Sequence, residues 1–132
     1  MKLLLTFVIT LLIFGAIDFL WLGLIAKNLY QQKLGFIMAD KFNWVAALIF
    51  YLIYVGGILY FVIFPSLNNG NWQTALLKGA ILGILCYGTY DLTNMATLKN
   101  WPYEIVIIDI LWGAFLTGLT STLSFIIAQK FL

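Results

Sequence analysis

Tyr87-Gly88-Thr89-Tyr90-Asp91-Leu92-Thr93-Asn94-Met95-Ala96-Thr97-Leu98-Lys99-Asn100-Trp101-Pro102 ends one long apolar run and leads into the next, and it sets an acid inside the first of them. At the centre of a membrane helix an ionised Asp costs about 2.5 to 3.5 kcal/mol on insertion scales, so acids there are rare, face inward and serve a function. Asp91 is therefore the first candidate site residue. Two further acids lie in apolar surroundings, Asp18 in the first run and Asp109 in the last.

The rest of the chain fits that reading. Of its 132 residues 64% are hydrophobic and only 9% charged, and the mean hydropathy is +1.03, whereas a soluble domain is about a quarter charged. A spanning helix needs about 20 apolar residues, and four segments qualify, at about 3–26, 42–64, 74–98 and 103–128. The expected fold is an all-α, four-helix transmembrane bundle forming a single domain over residues 1–132. Lys2 and the run after it also imitate a signal peptide, but the run continues through Trp21 to Ala26 and is too long for one.

Composition also excludes chemistries. There is no His, which removes His-ligated haem or zinc and any Ser-His or Cys-His nucleophile. All seven basic residues are Lys, so no guanidinium can pair with the acids, and the lone Cys86 forms no internal disulfide. No cofactor and no metal site are expected. A net charge of +2 suggests no nucleic-acid partner, and the partners expected are membrane lipids.

In chain order, Lys27, Asn28 and Tyr30 mark an interface after the first helix, and a short interfacial helix is expected between Leu29 and Met38. The second helix should stop at Pro65, ahead of the turn Asn68-Asn69-Gly70-Asn71. Gly79 and Gly83 form a GxxxG that allows close helix approach, within the bundle or at a homodimer seam. Pro102 suits a first helical turn, and Glu104 beside it suits the helix dipole as a structural acid.

Direction then fixes depth. Asp18 lies eight residues before the end of the first helix, Asp91 eight before Lys99, and Asp109 seven after Pro102. At about 1.5 Å per residue all three reach about 10 to 12 Å below the same surface. Tyr51 and Tyr54 of the second helix arrive at that level as well. On a helical wheel Ala80, Gly83, Tyr87, Asp91 and Asn94 share one stripe, and Asp109, Gly113, Leu116, Thr120 and Ser124 share another. Asp18-x-x-Trp21 matches Asp109-x-x-Trp112, which puts each indole one turn from its carboxylate and admits an internal duplication.

The expected site is thus a polar pocket of Asp18, Tyr51, Tyr54, Tyr87, Asp91, Asn94 and Asp109, walled by Trp21 and Trp112 and opening toward the side of the first and third connections. Three acids without an internal cation are not expected to be ionised together. Three uses follow: proton- or cation-linked binding or transport of a small amphipathic or cationic ligand, with Tyr90 among the aromatic contacts; lipid chemistry by an Asp pair in acid and base roles; or a structural hydrogen-bond network. Small four-helix multidrug exporters offer an analogy to the first through an acid-bearing first helix. Tyr90-Asp91 has a superficial likeness to the Tyr-Asp of intramembrane aspartyl proteases, but the companion Gly-x-Gly-Asp is absent.

Residues 87–98 (Tyr-Gly-Thr-Tyr-Asp-Leu-Thr-Asn-Met-Ala-Thr-Leu), with Trp101-Pro102, Asp109, Trp112-Gly113, Asp18-x-x-Trp21 and Phe50-Tyr51-x-x-Tyr54-x-Gly56, resemble the bacterial membrane-protein family catalogued as domain of unknown function 2177. The resemblance covers nearly the whole chain. It implies a multi-pass, four-helix protein of the bacterial inner membrane and marks Asp91, Thr93, Asn94 and Asp109 as family-like positions. It does not choose between transport, chemistry and scaffolding.

Overall fold

The computed structural model describes residues 1–132 and contains helices and turns with no strand. Four helices are long and apolar enough to cross a membrane: Lys2–Ile25, Trp44–Asn69, Trp72–Thr97 and Tyr103–Phe131, called here the first to fourth spans. They make an all-α membrane bundle. Between the first two lies the helix Lys27–Leu34, followed by a 3-10 turn Gly35–Ile37, two residues closer to the first span than the interfacial helix expected from sequence.

Side-chain caps fix where the second and third spans begin. The Asn43 side chain accepts from Ala46 N at 3.0 Å, and Asn71 forms a capping box with Thr74. Each such cap is worth about 1 kcal/mol by satisfying amides that the helix leaves free.

The second span does not end at Pro65 as the sequence suggested; it continues to Asn69. A proline inside a helix lacks its donor and crowds the carbonyl four residues back. Here the turn before it, Leu59–Ile63, is widened into a π-helix, which absorbs the misfit ahead of Pro65 and lets the helix resume as Phe64–Asn69. A second π turn, Trp21–Ile25, ends the first span.

The third and fourth spans form the tightest pair, and the reason is glycine. Gly79 faces the Thr117 carbonyl and Ser121, and a Cβ there would lie 2.8 Å from Thr117 O. Gly83 sits against the Gly113 backbone, and Gly113 against the Tyr87 ring, so neither position has room for a methyl group. The GxxxG is thus spent on contact within the bundle. Asn100, with φ of 61°, makes the left-handed turn between the two spans, a conformation Asn tolerates better than most residues. Both stripes expected from the helical wheel face inward: every member is buried or half-buried.

Beneath the site, Phe14, Tyr54, Val55, Ile58, Leu59, Ile63 and Leu116 form the main core. Tyr54 donates to or accepts from Thr117 Oγ1 at 2.7 Å, closing the floor of the region above it.

Candidate ligand pocket

Each acid comes to the site from a different span, and all three are buried. Asp91 is fully enclosed, while Asp18 and Asp109 keep 7% and 8% of their surface. They do not converge on one point, because no three such groups lie close enough to hold a metal ion. The arrangement is a pair, Asp91 beside Asp109, and a neighbour, Asp18.

The partners differ sharply. Asp18 accepts from the Tyr51 hydroxyl at 2.5 Å and from Trp112 Nε1 at 3.3 Å. Asp109 accepts from the Tyr30 hydroxyl, which in turn accepts from Trp21 Nε1 at 3.3 Å. Trp21 and Trp112 stack face to face, ring centres 4.4 Å apart and planes 11° from parallel. The two Asp-x-x-Trp motifs therefore cross: each indole serves the other helix's acid, directly for Asp18 and through Tyr30 for Asp109. Asp91 has no such support. It lies next to Asp109 and the Trp101 indole, yet neither of its oxygens, nor Trp101 Nε1, meets a hydrogen-bonding group in good geometry. An unmet buried polar group costs about 1–3 kcal/mol, and more if charged.

A cavity of about 690 Å³ adjoins Asp18 and Asp109. Trp21, Trp112, Tyr87 and Tyr90 stand in its walls with Phe50 and Cys86, and Lys27, Gln31, Leu34 and Met38 of the first connection stand over it. It lies at the end of the bundle with the first and third connections, but the opening expected on that side is covered, because residues of the helix Lys27–Leu34 form part of the wall there. The helix Lys27–Leu34 is held across that end. Leu29, Tyr30 and Leu34 pack on Trp101, Ile105 and Val106, and Lys33 pairs with Glu104 at 3.8 Å. That pair is half exposed, so it adds at most about 1 kcal/mol. Burial, and then the hydrogen bond to Asp109, pushes the Tyr30 phenol well above the ordinary tyrosine range, so it stays a donor.

Of the residues expected at the site, Asp18, Asp109, Tyr87, Trp21 and Trp112 line the cavity, whereas Tyr51 and Asp91 stand behind its wall, Tyr51 bonded to Asp18 and Asp91 beside Asp109. Tyr54 lies beneath, bonded to Thr117 rather than to an acid. Thr93 is exposed and gives its hydroxyl to the Thr89 carbonyl of its own helix, and Asn94 is only half-buried and outside the cavity wall. Sequence reading missed Tyr30 and Trp101, since each looks like an ordinary aromatic at a membrane interface. For Trp101 a signal was present: it follows the acid-bearing helix and precedes Pro102 by one residue, so the turn must bring it back to that helix end.

The fold and pocket define a class: a compact four-helix membrane protein with a buried carboxylate pair beside an aromatic cavity. The chain belongs to the family described as predicted membrane protein, DUF2177, whose model matches residues 3–126. No curated protein and no solved structure matches the chain.

Proposed function

We propose that the protein binds a small amphipathic cation in exchange for a proton held between Asp91 and Asp109, and that this exchange drives transport. One observation carries the reading: two adjoining buried carboxylates, Asp91 with no hydrogen bond in good geometry and Asp109 in the wall of an aromatic cavity, in a chain with no Arg or His. Two such groups without a cation are most stable sharing one proton. A cation over the Trp21, Trp112, Tyr87 or Tyr90 rings gains about 0.5–2 kcal/mol from each ring face, and displaces that proton. The helical fold and the family favour the bacterial inner membrane as its place of work.

The test is flux. In liposomes carrying a pH gradient, the wild type moves tetraphenylphosphonium against its concentration gradient, while Asp91→Asn and Asp109→Asn, folded by thermal melting, do not. Equal flux in all three ends the reading. The Asp91–Asp109 adjacency also favours a second use, in which one acid protonates and the other deprotonates a lipid substrate. That use predicts chemically altered lipid with no flux.

A further inference from the structure

The wall of the cavity is incomplete on one side. The second span meets the third mainly through Leu59–Ile63 and Phe64–Asn69, in the half of the bundle farther from the acids. Nearer the acids it stands away: from Trp44 to Phe50 every residue but Ala47 is exposed. Across the gap, Cys86 and Tyr90 of the third span are exposed too. Phe50, Cys86 and Tyr90 also line the cavity, so its interior and the outer surface of the bundle are continuous there.

Depth decides what that surface meets. Phe50 lies six residues into its span and Cys86 eleven before the end of its own, about 9 and 16 Å below the helix ends at 1.5 Å per residue. The hydrocarbon core of a bilayer is about 30 Å thick, so the gap faces acyl chains rather than water. On the aqueous side, by contrast, the cavity is covered by the helix Lys27–Leu34, pinned through Tyr30 and Lys33. Lys27 is the single cation in the cavity wall and stands on that covered side, at headgroup level.

We infer that the cavity opens sideways into the bilayer between the second and third spans and admits the acyl chain of a phospholipid, whose phosphate rests at Lys27. The chain lies against Phe50, Tyr87 and Trp112, and the opening is the route by which membrane-dissolved ligands reach the acids. This rests on the pocket being a ligand site, as proposed above, and names the phase from which the ligand comes.

The experiment uses the full protein in vesicles of phosphatidylethanolamine and phosphatidylglycerol, with a phosphatidylglycerol probe bearing a diazirine midway along one acyl chain. After irradiation, adducts are mapped by mass spectrometry. Adducts are expected on the inner residues Tyr87, Asp109 and Trp112 as well as on outer residues such as Ile53 and Leu77. Cys86→Trp, which plugs the gap, lowers the inner adducts about tenfold and leaves the outer ones unchanged, and Lys27→Gln lowers the inner adducts as well. Adducts confined to outer residues in the wild type, or inner adducts equal in the wild type and a melting-competent Cys86→Trp, overturn the inference. Inner adducts without any proton-coupled binding of tetraphenylphosphonium keep lateral access and remove the proton-linked reading. Proton-coupled binding without inner adducts does the reverse.

Discussion

Asp109 and Asp91 show how far one side chain can be read from its neighbours. An acid in an apolar run is too costly to be incidental, which is why Asp18, Asp91 and Asp109 stood out in the sequence and are all found buried. The donors that serve them were only partly legible. Tyr51 and Trp112 could be placed by depth, whereas Tyr30 sits outside the spans and reaches Asp109 only because the first connection folds back over the pocket. Thr93 looked like a site residue through family likeness, but its hydroxyl is spent on its own helix, as threonines in apolar helices commonly do. Removing the phenol tests Tyr30 directly. Tyr30→Phe should lower unfolding stability in mixed-micelle SDS titration by about 1–3 kcal/mol, since it strips a donor from a buried carboxylate. It should also change the alkaline limb. Because the fold holds Tyr30 protonated beyond the ordinary tyrosine range, the unfolded chain loses that proton first, above about pH 10. The contribution is complete below about pH 10 and is lost as pH rises toward the folded value. Melting temperature should therefore fall less steeply between pH 9.5 and 11, about the tyrosine titration range, in Tyr30→Phe than in the wild type.

Among elements, the hairpin of the third and fourth spans carries the site, since it holds Asp91 against Asp109. Water cannot drive that pairing inside a bilayer, so close backbone contact must. Gly83 and Gly113 provide it. Gly83→Ala should destabilise the protein by about 1–3 kcal/mol or more, because the new methyl meets backbone that cannot step aside. Gly57→Ala, at a helical glycine with nothing within 4 Å of the added carbon, should be neutral or stabilising by about 0.4–1 kcal/mol. Equal effects would mean that the hairpin is not the element that matters. The small residues on these faces were readable in the sequence as an inward seam, and so was the proline after Trp101. The continuation of the second span past Pro65 was not. Proline chemistry argues for a stop, and the π turn that removes the conflict is a property of Leu59–Ile63 for which apolar residues give no local cue. Lys33→Ala should cost no more than about 1 kcal/mol, its partner Glu104 being half exposed.

On the scale of the molecule, four apolar runs separated by short polar connections left a membrane bundle as the one architecture consistent with the chain, and helix rise alone was enough to expect the three acids at one depth. The missing part was how the spans lean. On the second span, almost uniformly apolar and aromatic from Trp44 to Ile63, lipid-facing and partner-facing positions have nearly the same composition, so its divergence from the third span near the acids could not be seen from residue types. That divergence makes the cavity; the small-residue seam makes the carboxylate pair. The proposed exchange needs both. On the proposed mechanism Asp91 and Asp109 hold one exchangeable proton that a ligand displaces. Proton release is the most direct test. Purified protein in unbuffered detergent near pH 7 is titrated with tetraphenylphosphonium while a pH indicator is followed. About one proton should be released per cation bound in the wild type and none in Asp91→Asn or Asp109→Asn. Cation binding with no proton released, or the same release from folded Asp91→Asn, would contradict that mechanism.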